Sequence, residues 1–95
     1  MINVDIHPGR IAVTGHAGSG EPGHDIVCAA VSALVQTLRE TLELRCDSSV
    51  SSAVAPGNAV FTWTRLSTEA DLLTDSLIIG LRGIEESYPA NLHIN

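Results

Sequence analysis

The sequence predicts an α+β fold, ordered ββα-ββα-β, in which two helices pack on a mixed or antiparallel sheet; three observations predict it. Two short stretches of alternating apolar residues are each broken by a Pro-Gly pair. Each is followed by a longer segment whose apolar residues recur every three or four positions. The 95 residues, 44% of them hydrophobic, suit one core and contain no linker between two, so residues 1–95 read as a single small domain.

In the first segment Ile2, Val4 and Ile6 alternate up to "HPGR", and Ile11 and Val13 alternate after it, as in a hairpin. Pro8 presets φ for the second position of a type II turn, and Gly9 supplies the positive φ required at the third. A loop from Gly15 to His24 follows. From Asp25 onward Val27, Val31, Leu34, Leu38 and Leu42 keep the period of a helix with one buried face, over about residues 25–45. Asp25 is placed to cap it, since its side chain can accept the free amides one turn in. Polar "CDSS" closes the helix. The pattern then repeats: Val50, Ser52 and Val54 alternate, "APGN" makes a second Pro-Gly turn, and residues 59–64 are rich in strand-forming types. The second helix has Ser67 or Thr68 as its cap and Pro89 as its stop. The final "NLHI" adds a last strand.

Within the second helix, "LIIGL" is apolar over more than one stripe, and Gly80 would let another backbone come close. Two readings stay open: a helix sandwiched inside the domain, or a contact with a second copy. A domain of this size buries a modest share of its unfolded surface, which makes a homodimer the expectation.

The formal charge is −6, there is no lysine, and five arginines are scattered along the chain. Phosphate neutralisation needs a basic face, so direct nucleic-acid binding is disfavoured. A basic peptide or protein would be attracted instead. The N-terminus lacks a signal-peptide pattern and no apolar run approaches about 18 residues, so the expectation is a cytoplasmic protein with no membrane partner. In that reducing setting a structural disulfide is not expected. Cys28 and Cys46, near opposite ends of one helix, would be about 27 Å apart, too far to bridge.

The stretch "GHAGSGEPGHDIVCAAVS", Gly15 to Ser32, admits three chemical readings. Gly18, Gly20 and Gly23 spell the dinucleotide pattern G-x-G-x-x-G, with Glu43 twenty residues on. The context fails it: Glu43 falls inside the first helix, Glu21 sits where pyrophosphate should, and the chain is too short for the full sheet. A metal reading takes His16, His24 and Cys28, with Asp25 as a fourth ligand. His24 precedes the cap, however, and no second Cys or His pair supports the set. The expectation is therefore no metal and no cofactor.

The third reading needs only Cys28 and His16. A cysteine in the first helical turn lies where the dipole favours thiolate. An imidazole at the end of the second strand can accept the thiol proton and return it to a leaving amine. The roles then open to Asp25 are helix cap, third member orienting His16, or both. Capping would occupy the amide of Val27 or Cys28 and leave loop amides as oxyanion donors. Ser32, one turn beyond Cys28, could reach the sulfur or a substrate carbonyl. Against this stands the plainer reading, in which Cys28 is a small buried hydrophobe and Ser32 is filler.

"GHAGSGEPGHDIVCAAVSAL" resembles the signature of the bacterial ribosomal-processing cysteine protease (Prp) family, which pairs Gly-His-Ala with Asp-Ile-Val-Cys-Ala-Ala-Val-Ser at this distance. "IIGLRGIEESYPANLHI" is similar to the family's C-terminal helix and strand; residues 46–66 are less distinctive. The resemblance implies a small dimeric endopeptidase that works without a cofactor, through a thioester. Its implied substrate is the precursor of large-subunit ribosomal protein twenty-seven, from which it removes an N-terminal extension. By motif position His16 and Cys28 are the dyad, and Asp25 and Ser32 are supporting residues. The glycine loop, with Gly15, Gly18, Gly20 and Gly23, is implied to be a mobile lid. Members often carry an aromatic where Ser19 stands, and Pro22 stiffens the loop here. With His24 also near the thiol, assigning the base to His16 rests on the motif. The alternative in another class is a non-enzymatic, dimeric, ribosome-associated interaction module whose Cys and His are structural.

Overall fold

The structure is a computed structural model that describes residues 1–21 and 23–95. Pro22, expected to stiffen the loop, lies outside the described residues. Seven elements follow the predicted order: β1 (Ile2–His7), β2 (Arg10–Thr14), α1 (Ile26–Leu44), β3 (Ser51–Ala55), β4 (Asn58–Thr62), α2 (Thr68–Ser87) and β5 (Leu92–Ile94). The strands form one sheet in the order β3-β4-β2-β1-β5. All neighbours are antiparallel except β1 and β5, so the sheet is mixed.

Both hairpins close on two-residue Pro-Gly turns, with Gly9 at φ 80° and Gly57 at φ 70°. The strand expected over 59–64 runs instead from Asn58 to Thr62. The Trp63 amide donates to the Gly9 carbonyl at 3.0 Å and so ties the strand's exit to the first turn.

Strand alternation puts Ile2, Val4, Ile11, Val13, Ala59, Phe61 and Leu92 on one face of the sheet, all buried, where they meet both helices. Fully burying a side chain of this size contributes about 1.5–3 kcal/mol. On α1 the buried stripe is Val27, Val31, Val35, Leu38 and Leu42. Val35 thus replaces the expected Leu34, which is half-buried and turns toward α2. The reason is Gly80: a Cβ there would lie 2.8 Å from Leu34 Cδ1. What comes close to Gly80 is therefore a side chain of α1 and not another backbone. That part of α2 is sandwiched within the domain, while Ile79 beside it is exposed.

The helix ends are capped. Asp25 caps α1, and Ser67 caps α2 by accepting the Ala70 amide at 3.0 Å. Glu69 and Asp71 in the first turn of α2 complement its dipole. Asp47 accepts from the hydroxyls of Ser49 and Ser67, each at 2.6 Å, and so ties the segment after α1 to the start of α2. Its carboxyl is held below the ordinary value by the Ser49 and then the Ser67 hydroxyl.

Candidate active site

The loop that leaves β2 is pinned at its start. The Gly15 amide donates to the Gly57 carbonyl at 2.9 Å, which joins the loop to the β3–β4 turn. His16 then rests its ring against that turn: a Cβ on Gly57 would lie 2.9 Å from His16 Nε2. Glycine is required at this position twice over, for its positive φ and for the space the imidazole occupies. The sequence marks Gly57 as a turn residue; its place beside His16 becomes visible only in three dimensions.

Ala17, buried, is held on both sides. Its amide donates to Cys28 Sγ at 3.3 Å, and its carbonyl accepts from Asn91 Nδ2 at 3.0 Å. Cys28 is half-buried in the first turn of α1. The amide of Cys28 donates to Asp25 Oδ1 at 2.9 Å, so the cap takes the second of the two expected amides. The Ser19 amide donates to Asp25 Oδ2 at 3.0 Å, and the Ser19 hydroxyl donates to Oδ1. These donors lower the Asp25 carboxyl from 3.8 to about 2, the Cys28 amide most and the Ser19 hydroxyl next.

Of the roles open to Asp25, the geometry displays the cap. Its carboxylate joins the loop to the helix, and no hydrogen bond joins it to His16 among the described residues. Because that carboxylate takes the Ser19 amide, an anion already occupies part of the ground a phosphate would need. The ligand set His16, His24, Cys28 and Asp25 is not brought together either: among the described residues no three His, Cys, Asp or Glu side chains converge. His24 is exposed and outside the cavity described next.

A cavity of about 510 Å³ lies between α1 and the β3–β4 hairpin, and His16, Cys28 and Ser32 all line it. Gln36 and Arg39 continue the α1 wall; Val31, Val35, Val54 and Pro56 make much of the rest apolar. Gln36, Arg39 and the β3–β4 wall carry no motif of their own. They join the site because they share a helical stripe with Cys28 or a strand pair with Gly57. Chemically, a thiol and an imidazole line the cavity, and a backbone amide beside it is aimed at the sulfur. Those are the parts needed for acyl transfer from a peptide bond.

The family model described as cysteine protease Prp matches residues 1–93. The ribosomal processing cysteine protease Prp of Staphylococcus aureus (strain Mu50 / ATCC 700699) is 30% identical over 112 aligned residues, covering 100% of this chain and 98% of the relative. An essential ribosomal processing protease Prp from S. aureus, solved in complex with a covalently linked product peptide, superposes with a TM-score of 0.88 at 28% identity, covering 100% of this chain and 98% of that one. SMU.848 from Streptococcus mutans superposes with a TM-score of 0.79 at 30% identity, covering 100% and 92%.

Proposed function

The chain belongs to the cysteine protease Prp family, a family of ribosomal processing proteases, and on that premise we propose that Cys28 and His16 are its catalytic dyad and that its substrate is the precursor of large-subunit ribosomal protein twenty-seven. The observation that carries the dyad is that both side chains open on one cavity, Cys28 from a capped helix start and His16 from a turn-backed loop. In the reaction Cys28 Sγ forms a bond to the scissile carbonyl carbon while its proton passes to His16. The tetrahedral adduct then breaks its C–N bond, and His16 returns the proton to the leaving amine. A water, giving its proton to His16, attacks the thioester. The C–S bond breaks, the N-terminal fragment leaves with its new carboxylate, and the thiol regains its proton from His16.

The oxyanion needs donors. The Cys28 amide is committed to Asp25, so the donor we assign is the Ala17 amide, already 3.3 Å from the sulfur. Asp25 acts as a positioning residue, and Ser32 contacts the bound peptide from the next turn of α1. The loop carrying Gly15, Gly18, Gly20 and Gly23 acts as the lid over this cavity. The charge of −6 suits a basic ribosomal substrate, and the S. aureus relative is named for ribosomal processing. We place the protein in the cytoplasm as a homodimer. Supporting this, no helix described is long and apolar enough to cross a membrane, and Leu72 and Ile79 stand 71% and 70% exposed one heptad apart on α2.

Incubation with the host's own precursor, read by mass spectrometry, tests the proposal. The wild-type protein should yield two fragments and Cys28→Ala none. Cleavage by Cys28→Ala at the wild-type rate would move the chemistry elsewhere, and a precursor left whole by the wild type would remove the substrate assignment.

A further inference from the structure

The two edges of the sheet are finished differently. At the β5 edge, Ile2 donates to Asn91 and Asn95 donates to Val4, so the groups facing β1 belong to odd-numbered residues and the amides of Leu92 and Ile94 point outward. Both have partners: Leu92 donates to the Tyr88 carbonyl at 3.2 Å, and Ile94 to Glu85 Oε2 at 2.6 Å. The outward amides of this edge are thus taken.

At the β3 edge the register gives the opposite result. Gly15 donates to Gly57 and Trp63 to Gly9, so odd-numbered residues of β4 bond to β2 and its even-numbered residues bond to β3. The partners of Asn58, Val60 and Thr62 are Ala55, Ala53 and Ser51. The main-chain amides and carbonyls of Ser52 and Val54 therefore point away from the sheet. Among the described residues neither amide has a hydrogen-bond partner. Residues 50–55, "VSSAVA", also carry no lysine, proline or other charge, the usual devices that blunt an exposed edge. Val54 lines the cavity that holds Cys28 and His16.

We propose that the free β3 edge is the docking strand for the peptide substrate, which extends the sheet as a sixth strand bonded through the main chain of Ser52 and Val54. The occupant rests on the protease reading above; the mode of binding is read from the edge itself. Side chains of Ser52 and Val54 pair across from Phe61 and Ala59, on the helix side of the sheet. An added strand thus presents every second side chain to the apolar wall of Val31, Val35 and Val54 and the others to solvent. Cys28, Ser32, Gln36 and Arg39 continue the lining along one stripe of α1. Their span, about 16 Å at about 1.5 Å per residue, accommodates about five residues of an extended chain.

Amide hydrogen exchange on Cys28→Ala tests this, with a synthetic peptide covering the N-terminal extension and cleavage site of the ribosomal protein. Saturating peptide should slow exchange at Ser52 and Val54 by about 10-fold or more, as expected for a gained hydrogen bond, and leave Leu92 and Ile94 unchanged. In the active protein Val54→Pro removes the outward amide while keeping an apolar side chain on the cavity wall, and should raise KM by about 10-fold with kcat held. Peptide that binds without slowing exchange at Ser52 and Val54 overturns strand addition and leaves the protease reading standing. Peptide that is neither bound nor cut by the wild-type protein overturns both.

Discussion

Cys28 and Cys46 are the same side chain at the two ends of α1, both free thiols. Cys28 sits at the amide end, behind the Asp25 cap, with the Ala17 N–H on its sulfur and a cavity in front. Cys46 lies past the carbonyl end at φ 54°. Its amide donates to Glu43 at 3.1 Å and that of Asp47 to Leu42 at 2.9 Å, the paired bonds of a Schellman closure whose central position is usually glycine. The helix thus turns the positive end of its dipole to one thiol and the negative end to the other. Exposure ranks the pair one way, since Cys46 is exposed and Cys28 half-buried. Backbone electrostatics ranks them the other way, and on this account the backbone decides.

The largest expected difference is in catalysis. Cys28→Ala should reduce precursor cleavage to background, while Cys46→Ala should stay within about twofold of wild type, as surface substitutions do. Steady-state kinetics measures both, and a large loss in Cys46→Ala would break the comparison. The imidazoles come next. His16→Ala should lower kcat by about 10²- to 10⁴-fold, the range of general acid–base catalysis. His24→Ala should stay within about twofold; the reverse ranking would give the base role to His24.

A smaller effect concerns stability at the amide end. The Asp25 carboxyl titrates at about 2, below its ordinary 3.8. Its contribution is therefore fully present above about pH 4 and is lost as pH falls through about 2. Thermal melts of wild type and Asp25→Ala should differ by a constant amount at neutral pH and converge toward pH 2. Asp47, lowered through Ser49 and Ser67, leaves both proteins with some acid slope. A difference that persists undiminished at pH 2 would show that the cap's carboxylate is not its source. The smallest effect is at the other end. Cys46→Gly relieves a left-handed conformation and should add about 0.5–1 kcal/mol, a rise in Tm of a few degrees, with cleavage unchanged.

Much of this was legible in the sequence because it is local. The Pro-Gly turns, the three-and-four spacing and the caps Asp25 and Ser67 act within a few residues of themselves, and all appear in the structure. Cys28 and His16 stand out for the same reason, twelve residues apart across a loop. What stayed hidden depends on topology. Asn91 holds Ala17 from 74 residues away, and Gly57 backs His16 because β4 pairs with β2. The helical period allows either Leu34 or Val35 in the core; the position of Gly80 on α2 chooses Val35. The three-residue β5 is too short to announce that it pairs parallel to β1.

Competitive alkylation tests the central claim most directly. The folded protein is exposed to limiting iodoacetamide at neutral pH, and adducts at Cys28 and Cys46 are mapped by mass spectrometry against time. If Cys28 is the nucleophile, it labels first despite its lower exposure, and Cys46 takes over only in Cys28→Ala. Labelling that follows exposure, with Cys46 first and Cys28 inert, would contradict the account.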